Sequence, residues 1–385
     1  MTSEERHEAR YQRRKQQREL KKQKRLGCAN DYTKVFDSKN LYKAYRHCRR
    51  NVAWKNSVQH YIFNEPLQIA MAHEKLMNGT YQSPGFYEFD LFERGKQRHI
   101  RSTNIAERIV QNCLCENALI PALMPTLIYD NGAAMTGKGY GFAVSRLEKH
   151  LRQHIREYGC EGYILLFDFS KFFDNVSHEV IKKLISKEIT DERVISITSH
   201  FIEMFGDKGL GLGSQISQIL ALVSATELDH YIKEKLHIKA YGRYMDDGYL
   251  IHPSKEYLQE CLQHIKALCD ELGIILNTKK TQIFKISRGF TYIQVRFYVT
   301  STGKIIKKLS RSNITRRRRT LKKYKKKVAK GEMTLKSVAQ SWQSWKAYAS
   351  NFNSYYTVQN MTLLFNDLFK EYNLNDKVYK AFLTG

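Results

Sequence analysis

Two adjacent carboxylates, Asp246 and Asp247, interrupt the otherwise apolar and aromatic run GRYMDDGYLIH at residues 242–252. The flanks read as two short strands, 241–244 and 248–251, with the acidic pair at the bend. A tight hairpin presents its tip away from its sheet, so the carboxylates can meet something other than each other. Side by side near neutral pH they repel unless a cation lies between them. A solvated Asp-Asp-Gly turn would also explain the pair. The choice depends on whether the chain supplies a third carboxylate and a polyanion to act on.

A polyanion is what the charge balance calls for. Sixty-four Lys and Arg against 38 Asp and Glu leave a formal net charge of +26 over 385 residues. Nucleic acid is the commonest partner of so basic a chain, and an acidic membrane surface is the competing one. No apolar run approaches the ~18 residues of a spanning helix, and no signal peptide is evident. No membrane partner and a cytoplasmic location are therefore expected. The 24 Tyr and 19 Phe offer many flat faces. The seven cysteines are scattered, without zinc-site spacing, and their odd number argues against a disulfide framework. Cys113 and Cys115 read as packing residues of a buried helix.

Along the chain, residues 1–26 are highly charged with almost no apolar face. They read as a solvated or disordered arm, or near RNA as an electrostatic tether. Helical spacing marks residues 38–80, and GFYEFDLFERGKQRHIRS alternates and turns at Gly95, as a hairpin would. A helix from Ile105 to about Ile120 precedes a glycine-rich loop that lacks Walker A spacing. YILLFDF, 163–169, is an apolar strand carrying Asp168. SHEVIKKLISKEI is amphipathic with Ser177 as its cap. After GLGLGSQISQ an apolar helix continues to about residue 232. The acidic hairpin follows, then a helix, then a strand pair around GFTYIQVRFYVTSTGKIIKKL. From Lys304 to Lys330 there are 14 Lys or Arg and no acid. A phosphate-facing helix is preferred there over a disordered tail, because aromatic residues that would pack it follow at 342–356.

Asp168 can reach the same sheet edge as Asp246 and Asp247. Three carboxylates at one edge, in a chain suited to a polyanion, make a two-metal site the economical expectation. Magnesium prefers such hard oxygen ligands.

The motifs now taken together resemble reverse transcriptases of bacterial and phage retroelements. YMDD at 244–247 and FDFSKFFDNVSH at 167–178 are similar to the two catalytic motifs. LGIILNTKKT at 272–281 and SRGFTYIQVRFY at 287–298 resemble the segment after the palm hairpin and the primer grip. The resemblance implies an α+β right-hand polymerase: a basic N-terminal arm (1–30), fingers with N-terminal helices (31–160), palm (161–300) and a basic helical thumb (301–385). It implies two Mg²⁺ ions, with Mn²⁺ as a substitute, held by Asp168, Phe169, Asp246 and Asp247, Asp246 more directly than Asp247. Lys280 would protonate the leaving pyrophosphate, although Lys279 is adjacent. Lys96, Arg98, Phe173, Leu212, Gly213 and Gln218 would meet the dNTP, with Phe173 as a steric gate against the ribose 2′-hydroxyl. For Phe172 and Phe173 the plain alternative is core, and for Lys96 and Arg98 a solvated turn. Lys138, Tyr244, Met245, Tyr292, Arg316, Arg317, Arg318, Arg319, Lys322 and Lys323 would contact nucleic acid. The partners implied are template RNA and a cDNA or primer strand, with an accessory protein or structured non-coding RNA.

The departures are informative. Leu212 stands where many relatives have Gln, and Ser217-Gln218 where they have Ser-Pro. Leucine there gives shape contact without a hydrogen bond, so mispairs should be rejected less well. This pattern, with the tail SWQSWKAYASNFNSYY, is most similar to diversity-generating retroelement enzymes, and defence-associated reverse transcriptases share much of it. Gln294 replaces the usual primer-grip glycine, and the loop at Lys138 lacks an arginine many relatives carry. No further carboxylate set suggests an RNase H or endonuclease. A non-catalytic, maturase-like RNA-binding protein is the alternative of another class.

Overall fold

The structure is a computed structural model that describes residues 2–93 and 95–374, the side chain of Lys96 excepted. Its centre is a four-stranded antiparallel sheet built from β3 (Tyr163–Asp168), β4 (Tyr241–Tyr244), β5 (Asp247–His252) and β6 (Gln282–Lys285), in the order β4-β5-β3-β6. Before it comes the hairpin of β1 (Phe86–Glu93) and β2 (Lys96–Thr103). After it come β7 (Phe290–Tyr292), β8 (Val295–Val299) and β9 (Ile305–Leu309). These last form a three-stranded sheet, one strand more than the expected pair, because residues 305–309 fold back on β8.

Alternation along β3 and β5 explains why the central sheet is covered on both faces. Leu165, Phe167 and Leu250 point into a large core shared with the Lys255–Glu271 helix and the N-terminal helices. Ile164, Tyr249 and Ile251 point the other way, onto the Tyr140–Tyr158 helix and the β7–β9 sheet. A third core, around Trp342, Trp345, Met361 and Phe365, holds together the helices Arg311–Ala329, Leu335–Ser350 and Tyr355–Leu368.

The highly charged N-terminus is helical rather than a disordered arm. A 27-residue helix, Ser3–Ala29, starts at a capping box between Thr2 and Glu5. Its Arg, Lys, Gln and Glu residues are good helix formers, and Gln12 donates to Glu8 one turn away (2.7 Å). Only Leu26 and Ala29 are buried; Lys22 reaches Glu188 at 3.0 Å. The break at Ala225 splits the long apolar helix into Gln215–Ser224 and Thr226–His230. No helix among the described residues is long and apolar enough to cross a membrane.

Candidate active site

Register brings the acids together. In the β3–β5 ladder Asp168 lies directly opposite Asp247, and Phe167 opposite Gly248. A Cβ at position 248 would fall 2.2 Å from the Phe167 ring, so glycine after the acidic pair is a packing requirement of the sheet. Asp246 sits in the β4–β5 turn beside Met245, whose φ of 55° is left-handed. Its carbonyl accepts from the Phe169 amide at 3.1 Å, which ties the turn to the end of β3.

Burial and mutual repulsion set the charge state. Burial, then the charges of Asp246 and Asp168, push the Asp247 carboxyl up to about 7. Asp246 is also raised, by burial and by Asp168, although Lys280 and Arg98 pull it back. The Lys280 ammonium donates to Asp168 Oδ1 at 2.6 Å, and Asn277 Nδ2 to Oδ2 at 3.1 Å. Burial works against the charged lysine, but Asp168 outweighs it and raises the Lys280 pKa. Phe169 is buried, so only its main chain is available to a ligand.

No three acid, imidazole or thiol groups among the described residues form a ready-made metal cage. The donor set nevertheless suits magnesium, which is held by one or two carboxylates plus water and substrate phosphate rather than by an all-protein cage. Carboxylates raised by one another's charge are stabilised by a cation. A cavity of about 290 Å³ opens beside Asp168, Asp247 and Lys280, with Arg296 on its wall.

A buried ion pair that sequence reasoning missed fixes the turn. Arg243 and Asp229 are both fully buried and joined by Nε–Oδ1 (2.8 Å) and Nη2–Oδ2 (2.7 Å) bonds. Arg243 also donates to the carbonyls of Met245 (2.8 Å) and Leu222 (2.9 Å), and Tyr241 donates to Asp229 (2.5 Å). The sequence signal was an arginine inside a strand otherwise suited to a core. The glycine-rich loop reaches the same strand: the Arg243 amide donates to the Asp130 carbonyl at 3.2 Å. The Asp130 carboxylate is ringed by Arg146, Lys233 and His150, and burial holds His150 down at about 4.

The remaining expected site residues divide. Phe172 is core, whereas Phe173 is half-buried beside it, 6.0 Å between ring centroids. Arg98 is exposed on the β1–β2 hairpin, 3.3 Å from Glu93; the Lys96 side chain lies outside the described residues. Leu212 bridges to Ile100 on β2. Gly213, with φ 125°, lies where a Cβ would meet the Arg101 carbonyl at 2.8 Å. Gln218 lines a different cavity, with His47 and Asn112.

Three of the expected nucleic-acid contacts are engaged within the chain, Tyr292 and Arg317 of them buried. The Lys138 ammonium donates to the Tyr129 carbonyl (2.8 Å) and sits over the Tyr129 and Phe142 rings. Tyr292 is buried, its hydroxyl 3.4 Å from the Asp247 carbonyl. Arg317 is buried against Trp342 and Trp345 and donates to Ser341 at 3.0 Å, and burial lowers its pKa to about 10. It occupies the inward stripe of its helix with Ile314, Leu321 and Tyr324, while Arg318, Arg319, Lys322 and Lys323 are exposed. Arg316 donates to Gln294 Oε1 at 3.0 Å. Gln294 takes φ 69° in the two-residue β7–β8 turn, so glutamine adopts the left-handed backbone there and ties that turn to the basic helix.

Comparison with known proteins accounts for this arrangement. The chain is 22% identical over 276 residues to Protein YkfC of Escherichia coli (strain K12), covering 59% of this chain and 70% of that one. A solved telomerase from Candida albicans, in complex with a TWJ fragment of telomeric RNA, shares the fold. Its TM-score is 0.51 at 11% identity, with 84% of this chain and 60% of that chain covered. An apo telomerase from Candida tropicalis aligns with a TM-score of 0.46 at 14% identity, over 58% of this chain and 54% of its own. The chain thus spans about half to three fifths of these telomerase chains. The architecture is that of a right-hand polymerase. Residues 93–297, more than half of the chain, match the reverse transcriptase (RNA-dependent DNA polymerase) family, whose members are nucleotidyltransferases that generally use divalent metal ions, and the chain belongs to that family.

Proposed function

We propose that this chain copies an RNA template into DNA from a primer 3′-hydroxyl, with Asp168, Asp246, Asp247 and the Phe169 main chain holding two Mg²⁺ ions, or Mn²⁺ in their place. The observation that carries the reading is the cross-strand pairing of Asp168 with Asp247, with Asp246 at the adjoining turn. Metal ions bound there would lower the pKa of the primer hydroxyl and stabilise charge on the transferring phosphoryl group. Lys280, held at Asp168, is the proton donor to the leaving pyrophosphate. Arg98 and Lys96 on the hairpin meet the triphosphate, Phe173 excludes a 2′-hydroxyl, and Leu212 and Gly213 shape the sugar and base side of the site. The exposed Arg318, Arg319, Lys322 and Lys323, with Arg316, follow the phosphates of the duplex.

In this reading residues 1–30 are a basic arm, 31–160 fingers, 161–300 palm and 301–385 thumb; residues 375–385 lie outside the described part. The apolar Leu212 supports a low-fidelity enzyme of the diversity-generating kind, assisted by an accessory protein or structured RNA. Primer extension on defined RNA with dNTPs and Mg²⁺ tests this, wild type beside Asp246→Ala/Asp247→Ala, with sequenced products. Extension abolished by the double substitution, with wild-type errors concentrated at template adenines, is expected. Even fidelity would remove the diversification reading and favour a defence enzyme. RNA binding without extension on any template would favour a non-catalytic binding protein.

A further inference from the structure

The 27-residue helix Ser3–Ala29 separates its charges by side. At 3.6 residues per turn, Arg6, Arg10, Arg13, Arg14, Lys21 and Lys24 fall within about 60° of a line through Gln17. The acids of the helix, Glu4, Glu5, Glu8 and Glu19, all lie at least about 120° from that line. Leu26 and Ala29, which are buried, and Lys22, which pairs with Glu188, are on the acid side too. The acid-free basic stripe therefore faces away from the rest of the chain, and every one of its cations is exposed. Among the described residues, Lys22–Glu188 is the only ion pair from this helix to the rest of the chain.

Such a stripe calls for a counter-charge. Arg6 with Arg10 and Arg10 with Arg14 stand four residues apart, and Lys21 with Lys24 three, spacings at which like charges destabilise a helix. A membrane surface does not fit, because Tyr11 and Leu20 lie on opposite sides of the helix and leave no apolar face to bury. A rigid polyanion does. From Arg6 to Lys24 the stripe runs for about 27 Å, with successive positions about 4.5–6 Å apart along the axis. Gln17 is its single amide, so the stripe suits phosphates rather than base edges. Double-stranded RNA is recognised in that way, by shape and phosphate, because its bases are hidden in a deep, narrow groove.

We infer that the outward stripe of Ser3–Ala29 docks a base-paired segment of RNA, separate from the template–primer duplex in the polymerase cleft. The choice of RNA rests on the reading of the chain as an RNA-templated polymerase, which meets RNA before it has made any DNA. The stripe gives that polymerase a second grip, by which it favours an RNA folded on itself over an unstructured one.

The test uses the full chain with its cleft filled by excess unlabelled RNA–DNA primer–template, and a short, labelled, blunt RNA duplex read by fluorescence anisotropy across a salt series. Arg10→Gln/Lys21→Gln removes two charges from the stripe, and Lys15→Gln/Arg18→Gln removes two that lie off it; glutamine keeps the helix propensity in both. The first pair should weaken duplex binding about tenfold at physiological salt and reduce the salt slope by about two, and the second should weaken it less than about threefold. Both variants should extend a primer on an unstructured template at the wild-type rate. Equal losses in the two variants, no duplex binding by the filled wild type, or equally tight binding of duplex DNA or single-stranded RNA would overturn the inference alone. Wild type that binds the duplex through this stripe yet extends no primer on any template would overturn the polymerase reading and leave the docking site standing.

Discussion

Asp229→Ala is predicted to be among the most destabilising single changes near the site, although Asp229 lies outside the acidic trio. Arg243 and Asp229 are both fully buried, so neither charge can fall back on water when the other is removed. The substitution strips partners from Arg243 Nε and the Tyr241 hydroxyl, and leaves Nη2 with only the Leu222 carbonyl. Breaking a buried pair from one side costs about 3–5 kcal/mol, a large part of the ~5–15 kcal/mol that holds a typical domain together. Urea unfolding followed by circular dichroism reads this directly. The double variant Asp229→Leu/Arg243→Met removes both charges and should recover most of the loss. It still lacks the bond from Arg243 to the Met245 carbonyl, so primer extension should remain depressed. A loss under about 1 kcal/mol in Asp229→Ala would show that this pair does not stabilise the sheet, and full extension by the double variant would show that it does not position the acidic turn.

Four further outcomes are expected. With the Asp247 pKa pushed up to about 7 from an ordinary value near 4, the unfolded chain releases this proton first. Metal-free stability should therefore fall as pH rises from about 4 to about 7 and then level off, and Asp247→Asn should flatten that slope in urea titrations. Protons compete with metal for the same oxygens, so the acid limb of extension should move to lower pH as Mg²⁺ is raised; a limb indifferent to Mg²⁺ would speak against metal at Asp247. Phe173→Ala should raise ribonucleotide use at least tenfold relative to dNTPs in single-nucleotide incorporation, an effect of about 1.4 kcal/mol or more, and Phe172→Ala should instead cost stability. Replacing Arg318, Arg319, Lys322 and Lys323 with Gln should reduce the salt slope of RNA binding by about one for each phosphate no longer neutralised, whereas Arg317→Gln should change stability more than the slope.

Much of this molecule was readable before its structure. Strong local signals did that work: a short continuous apolar run in YILLFDF, a Ser177 cap before an amphipathic run, Gly95 between two alternating segments, and a carboxylate pair where a core should continue. Each involves residues within a turn or two of one another, so the one-dimensional pattern carries the physics. The charged N-terminal segment was harder, since propensity and a single capping box, rather than an apolar face, make it helical.

What tertiary structure decided is where each charge points. Arg316, Arg317, Arg318 and Arg319 are identical letters in a row, yet only the packing of Trp342 and Trp345 turns the second inward and leaves the third and fourth exposed. Lys138 is taken up by the Tyr129 carbonyl and by the rings of Tyr129 and of Phe142 on the following helix. The pairing of Asp168 with Asp247 required a register fixed by Gly248 under Phe167. The pairing of Arg243 with Asp229 likewise depends on residues distant in sequence meeting in a dry interior. There the cost of an unpaired polar group, which no local pattern records, selects the arrangement.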